Sequence, residues 1–162
     1  AWMKAGAPGE HHKHLKKLVG TWSAKSKFWM SPGDPPSEGE GTATWKPLFD
    51  GRFVQLDYSG NSASMGPFQG MGITGYDNMT KEYVDVWIDS TSTAIMSSKG
   101  SCDAAGRAFH YKGEGLDPIT GKMKVVRSVV RLVSDTEMHF EMFDTGPDGK
   151  DFKNLEIVYT KK

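Results

Sequence analysis

Apolar and polar residues alternate with a period of two over most of this chain. In the first such run Trp22, Ala24, Ser26 and Phe28 fall on one face, and lysines and serines fill the positions between them. This alternation is typical of half-buried β-strands. About ten runs of this kind follow one another, with turn residues between them. The predicted strands cover about residues 22–30, 39–46, 52–59, 70–76, 82–90, 93–99, 107–114, 122–133, 137–144 and 151–160.

The segments between the runs carry the residues that form tight turns. Phe49-Asp50-Gly51 predicts a hairpin, and 60–68, rich in Gly, Ser, Asn and Met, predicts a loop. Strands joined by hairpins describe an antiparallel up-and-down meander, and closing the meander into a barrel removes its exposed edges. We therefore expect one all-β domain over residues 1–162, with a barrel over 20–160. The other predicted turns are Pro32–Pro36, Asp77-Asn78, Ala105-Gly106, Asp117–Gly121 and Gly146–Gly149.

One short helix is predicted before the barrel, over residues 8–19. Pro8 suits a first helical turn and Gly20 suits a helix end. Leu15 and Leu18 fall on one face of this helix, and the lysines fall elsewhere. We expect that face to cover one mouth of the barrel.

Composition excludes several classes of function. The 162 residues carry 20 basic and 20 acidic side chains, which leaves no electrostatic footprint for nucleic acid. No apolar run approaches the roughly 18–20 residues that a membrane span requires, so a soluble chain is expected. Cys102 is the one cysteine, which rules out an intrachain disulfide, and its place beside a turn favours a structural thiol.

Neither a metal nor another cofactor is expected. Glu10, His11, His12 and His14 have helical spacing, but they lack a recognisable metal-binding motif and predict a solvated face. His139 stands on a late strand, as does the iron ligand of some heme-binding barrels. A single strand histidine is more often structural, and heme is disfavoured.

Ten strands leave more interior room than eight, so a cavity for a small molecule is expected. Aromatic and charged residues share one face of the strand at 82–90, where Tyr83, Asp85, Trp87 and Asp89 alternate with valines and isoleucine. Alternation alone leaves open which face points inward. If Arg127 points inward, it needs a carboxylate or an anionic ligand group, because an unpaired buried charge is costly. The candidate ligand-binding residues are Trp87, Asp89, Arg127, Glu141, Phe28 and Phe140.

Short motifs in a fixed order run through nearly the whole chain. They include Leu18-Val19-Gly20-Thr21-Trp22, Phe28-Trp29, Gly51-Arg52-Phe53, Gly75-Tyr76-Asp77-Asn78, Trp87-Ile88-Asp89 and Pro147-Asp148-Gly149-Lys150. Together they resemble the bacterial family called domain of unknown function 1579, which is grouped with calycin-like, or lipocalin-like, barrels. The resemblance implies a barrel whose strand-one tryptophan, Trp22, closes one end, and it implies export for many members. It assigns no activity and no catalytic residues. In such barrels a late-strand basic residue packs over that tryptophan, and here Lys161 stands where arginine is expected.

Three functions are consistent with such a barrel. The first is binding of a small lipophilic or amphipathic molecule in the interior, with Arg127 meeting its polar end. The second is an isomerase, cyclase or hydrolase that uses a carboxylate such as Glu141 or Asp89. The third is an interaction surface on a self-filled barrel. Homodimerisation through Trp2, Trp29 or Trp45 is compatible with each. The strand count and the charges on otherwise apolar strand faces favour binding.

Overall fold

Two short helices precede ten strands in the computed structural model, which describes residues 1–117 and 120–162. Each strand pairs antiparallel with its sequence neighbours, and the last pairs with the first, so the sheet closes into a barrel. The predicted all-β, ten-stranded closed barrel is therefore confirmed. Its elements are α1 (Trp2–Ala5), α2 (Glu10–Lys16), β1 (Gly20–Phe28), β2 (Ser37–Leu48), β3 (Phe53–Ser62), β4 (Gly66–Asp77), β5 (Glu82–Asp89), β6 (Met96–Cys102), β7 (Ala108–Leu116), β8 (Met123–Leu132), β9 (Glu137–Thr145) and β10 (Asp151–Lys161).

Strand bounds differ from the prediction in two places. The predicted loop over 60–68 is mostly strand, because β3 continues to Ser62 and β4 begins at Gly66. Gly60 reads as a loop residue, yet a Cβ there would lie 2.6 Å from the Glu40 carbonyl oxygen, so the close approach of β2 requires glycine. The predicted strand at 93–99 lies three residues later, at Met96–Cys102. The Asp89 carboxylate accepts bonds from the Thr91 backbone and hydroxyl and thereby starts the turn that precedes it.

The turns and the helix agree with the prediction in outline. Phe49 and Asp50 both have positive φ, as a tight hairpin between β2 and β3 requires. Of the turn predicted over Asp117–Gly121, Pro118 and Ile119 lie outside the described residues. Helix α2 is shorter than the predicted 8–19, and the single turn α1 has no counterpart in the prediction.

One end of the barrel is packed solid beneath α2. Trp22 is fully buried there, and its indole N–H donates a 3.0 Å bond to the Leu18 carbonyl. Trp45 packs edge-on against Trp22 and Tyr159. Trp45 is itself buried, which removes it as a dimer contact. The buried core comprises Leu15, Leu18, Trp22, Ala24, Ala43, Trp45, Val54, Tyr83, Phe109, Tyr111, Leu132, Met138 and Tyr159.

The N-terminal segment is bonded to three hairpin turns at this end. Arg52 of the β2–β3 turn donates to the Gly6 carbonyl, and Asn78 of the β4–β5 turn donates to the carbonyls of Ala5 and Ala7. Lys17 donates to the Ala105 carbonyl in the β6–β7 turn. The segment thus closes this end, while the opposite end carries no helix among the described residues.

Candidate ligand-binding interior of the barrel

Inward-facing side chains change from buried to accessible along the barrel axis. On β1, Trp22 and Ala24 are buried, whereas Ser26 and Phe28 are partly exposed. The same change occurs along β5, β7 and β9, each of which starts from a fully buried residue at the helix-covered end. We call the accessible part, from about the middle of each strand to the end away from α2, the open half.

Glycines widen the open half. Gly113 and Gly115 follow Tyr111 on the inner face of β7, and a Cβ built on Gly115 would meet no atom within 4 Å. Gly70 and Gly72 stand on the inner face of β4 directly beside β5. The interior is therefore unfilled at Gly115, whereas the Trp87 side chain occupies the space over Gly70 and Gly72.

Trp87, predicted from the sequence to line a pocket, lies on the inner face of β5. Its indole lies over two glycines, since a Cβ at Gly70 would be 2.1 Å from the ring and one at Gly72 would be 3.1 Å away. Its Nε1–H donates a 2.9 Å bond to Asp89. The ring is therefore held flat against the barrel wall, with a broad apolar surface toward the interior.

Asp89, also a predicted site residue, lies on the inner face near the open end. Its carboxylate accepts bonds from Trp87 and from both the backbone and hydroxyl of Thr91. These contacts give Asp89 a structural role in positioning the indole and the turn that follows. Phe28 and Phe140 also face inward and are partly exposed in the open half, so four of the six predicted residues share the interior.

Arg127 and Glu141 lie elsewhere, and the expectation that they face the interior is wrong. Arg127 alternates with inward-facing Ser128, pairs with Asp151, and its side chain is 46% exposed. Glu141 pairs with Lys153 at 3.2 Å on the outer face of β9. Valines on the same face as Arg127 made that face resemble a buried one, but an open barrel has apolar residues on both faces.

Asp85 is a functional candidate that the sequence did not single out. It lies between Tyr83 and Trp87 on the inner face of β5, and its Oδ1 accepts a 2.6 Å bond from the Thr74 hydroxyl. Among the described residues it has no other hydrogen-bond partner and no ion pair. Burial raises the pKa of this carboxyl to about 6, although the Thr74 bond opposes the rise. Its place at the centre of an aromatic run was the only signal in the sequence.

Tyr111 is the group on β7 that interacts with Asp85. Burial raises the pKa of the Tyr111 hydroxyl well above its usual range, and the charge of Asp85 adds to the rise. Tyr111 therefore stays protonated at neutral pH and keeps its O–H as a donor. The bonded pair Asp85 and Thr74, together with Tyr111, places polar groups at the inner end of the open half.

A second polar group lies nearer the mouth. Lys124 on the inner face of β8 donates a 2.6 Å bond to Asp144 and lies 3.7 Å from Asp117. The Lys124 side chain is 29% exposed and that of Asp144 is 15% exposed. The charge of this lysine is therefore already matched by carboxylates.

Two other concavities are lined mostly by residues outside the barrel interior. A groove of about 1000 Å³ extends from the outer faces of β10, β1 and β2 to the ends of β3 and β4, and its lining includes Lys25, Lys27, Glu38 and Glu40 and also the inner-face residues Ser26 and Gly39. A smaller one of about 230 Å³ lies beside α2, lined by Lys16, Lys17, Arg107, Leu132, Asp135 and Lys161. Charges of both signs line each of them, and basic side chains predominate in the smaller one.

The N-terminal histidines are engaged with the barrel, which the sequence did not predict. His11 stacks on Tyr76 at 3.9 Å, and the Nδ1 atoms of His11 and His14 lie 3.0 and 3.2 Å from the Tyr83 hydroxyl. His12 is buried and its Nδ1 accepts the Gly9 N–H. His139 faces outward and bonds to Glu137 at 2.6 Å, so its ring does not reach the interior.

The sequence profile of the family described as "Protein of unknown function (DUF1579)" matches residues 7–161. The chain belongs to this family. The resemblance drawn from the ordered motifs is thereby confirmed. No curated protein matches this chain. None of the described helices is both long and apolar enough to cross a membrane.

Solved structures align with this chain over nearly its whole length. The crystal structure of Rv2717c from M. tuberculosis is 14% identical, with a TM-score of 0.70 over 96% of this chain and 99% of that one. The redesigned β-barrel mFAP1 bound to DFHBI is 16% identical, with a TM-score of 0.48 over 91% of this chain and 98% of that one. The first likeness supports the fold alone.

Proposed function

We propose that this protein binds one small lipophilic or amphipathic molecule in the open half of its barrel. The observation that carries the proposal is the change in accessibility along the inner face. Phe109 on β7 is fully buried, and two residues past Tyr111 the same face consists of glycines. A barrel that served only as a scaffold would be filled along its whole length, because unfilled interior loses packing energy.

The lining suits a molecule that is mostly apolar. Phe28, Trp87 and Phe140 offer aromatic surface, while Asp85, Thr74 and Tyr111 offer polar groups at the inner end. Ligand pockets are commonly apolar with a few placed polar groups that fix orientation. The interior thus has the composition of a binding site.

Native mass spectrometry compared with denaturing mass spectrometry tests the proposal. A bound molecule adds mass in the native spectrum that disappears on denaturation, and extraction into organic solvent identifies it. Binding of Nile red, an uncharged dye that fluoresces in apolar sites, provides a second readout on emptied protein.

A matched pair of variants locates the site. Gly115→Phe places a ring where a Cβ has no neighbour within 4 Å, so it should block dye binding without unfolding the barrel. Leu116→Phe adds the same ring at the adjacent outward position, which is already exposed, and should leave binding unchanged. Equal binding by both variants and the parent protein would refute interior binding.

Catalysis by an interior carboxylate is a second candidate, favoured by one observation. Burial raises the pKa of Asp85 to about 6, which is suited to a general base near neutral pH. Proton abstraction from 5-nitrobenzisoxazole reports such a base in an apolar site. A rate that Asp85→Asn does not reduce would count against catalysis by this residue.

A further inference from the structure

We infer that the interior selects ligands that carry a protonated amine on an apolar body, with Asp85 as the group that binds the ammonium. This inference rests on the proposed function and names its ligand class. The sequence analysis expected Arg127 to bind a polar or anionic group of the ligand, so the inferred ligand has the opposite charge.

The charge of the inner surface supports a cation. Among the described strand residues that face inward in the open half, Asp85, Asp89 and Asp144 are acidic and Lys124 is basic, while Lys161 lies over Trp22 at the closed end. Lys124 is neutralised by Asp144, and Asp89 is occupied by Trp87 and Thr91. Asp85 is left as the inward-facing carboxylate without a cation or an N–H donor among the described residues.

The Asp85 carboxylate on the inner face of β5 has room for a further hydrogen-bond or ion-pair partner. Its Oδ1 is held by the Thr74 hydroxyl, and its Oδ2 has no donor within the described chain. Asp85 is only partly buried and lies on the inner face, so its carboxylate remains accessible from the interior. A ligand cation can therefore reach the oxygen that the protein leaves free. Pairing the charge would offset the cost of burying it.

The indole beside Asp85 favours an ammonium over other cations. Trp87 follows Asp85 on the inner face of β5 and is partly exposed, whereas Tyr83 and Tyr111 are buried. Aromatic faces attract ammonium groups through the ring quadrupole. A carboxylate beside an accessible indole therefore binds an amine through charge and a ring contact together.

The tyrosines and the cysteine that face Asp85 do not change charge in the pH range where Asp85 titrates. Strand β4 contributes Thr74, β6 contributes Ser98 at the paired position and Cys102 farther along, and β7 contributes Tyr111. Its own strand contributes Tyr83 and, four residues away, Asp89. The tyrosine and cysteine pKa values are raised by burial, so these groups stay neutral where Asp85 titrates.

Three probes with the same ten-carbon chain test the inference through displacement of Nile red. At pH 7.5 decylamine is cationic, 1-decanol is neutral and decanoate is anionic. We expect decylamine to displace the dye at about tenfold lower concentration than decanol, with decanoate weakest. In Asp85→Asn the advantage of the amine should fall to about twofold or less, while decanol displaces as before.

Glu114→Gln is the matched control, since it neutralises an exposed carboxylate on the outer face of β7, and it should retain the preference for the amine. In the wild-type protein, lowering the pH from 7.5 to 5 should weaken decylamine about tenfold and leave decanol unchanged. Equal displacement by amine and alcohol, or a preference that survives Asp85→Asn, would overturn the inference and leave interior binding standing. No binding of the dye or of any probe would overturn both. The pH series needs no variant, so it stands even if Asp85→Asn fails to fold.

Discussion

The Nζ atom of Lys161 lies 5.3 Å from the centre of the Trp22 ring. The register of β1 and β10 places the two residues opposite each other, and the Leu18 carbonyl accepts the indole N–H. The lysine also covers Gly20, where an added Cβ would lie 2.8 Å from Lys161 Cε. A basic residue therefore packs over the strand-one tryptophan even though arginine was expected at this position.

Lys161→Ala should lower the free energy of unfolding by about 0.5–1 kcal/mol, because the cation–π contact and the cover of the indole are lost. Urea denaturation measures the change. Lys161→Arg should retain the stability. The control Lys25→Ala removes an exposed lysine from the neighbouring face and should change stability by less than about 0.5 kcal/mol. An equal loss for both alanine variants would show that the Trp22 contact adds nothing.

The barrel could be predicted from the sequence because its signals are local. Alternation and turn residues lie within a few positions of each other, and the order of antiparallel neighbours follows from short connections. The bounds near 60–68 could not be predicted in this way. Gly60 is a loop signal by composition, whereas here it is required by contact with Glu40 on another strand.

The orientation of the faces could not be predicted, since both sides of an open barrel meet water. On β5 the apolar residues Val84, Val86 and Ile88 face outward, and the acidic and aromatic residues face inward. On β8 the face that carries Arg127 is outward for the same reason. Asp85 acquires its raised pKa from burial in the closed barrel and its hydrogen bond from Thr74 on another strand, which alternation within β5 does not reveal.

Gly70→Ala should displace the Trp87 indole, because the new Cβ would lie 2.1 Å from the ring. We expect a loss of about 1–3 kcal/mol in stability and weaker binding of Nile red. The indole N–H signal of Trp87 in an NMR spectrum, assigned with Trp87→Phe, should shift as its bond to Asp89 breaks.

Gly115→Ala is the matched control for that displacement. It adds the same methyl group to the inner face at a position with no neighbour within 4 Å, so the Trp87 signal should stay in place. An unchanged Trp87 signal in Gly70→Ala would contradict the close packing of the ring against Gly70 and Gly72 on β4.

Arg127→Ala should leave ligand binding within about twofold of the wild type. Arg127 lies outside the barrel wall, with Asp151 as its ion-pair partner, and the pair is about half exposed. Exposed pairs contribute about 0.2–1 kcal/mol, so only a small loss of stability is expected in denaturation. If Arg127→Ala bound the native ligand tenfold more weakly than the wild type does, Arg127 would have to contact that ligand.

Asp85→Asn should stabilise the protein above pH 6. Burial raises the pKa of the folded carboxyl to about 6 from a reference value of 3.8, so the folded state holds the proton more tightly than the unfolded state does. Ionisation therefore removes stability as the pH rises through that window, by about 1–3 kcal/mol in full. The variant keeps a side chain of the same shape and has no charge to bury.

The difference in unfolding free energy between Asp85→Asn and the wild type is the quantity to follow between pH 4 and 8. Burial lowers the pKa values of His12 and His14, so both proteins lose stability as the pH falls below about 6.5, and the subtraction removes that contribution. The difference should be largest above pH 7 and shrink toward zero near pH 4. A difference in unfolding free energy that does not change with pH would mean that burial does not raise the pKa of Asp85. Retention of a carboxylate that lowers the stability of the protein is expected where that carboxylate binds a ligand.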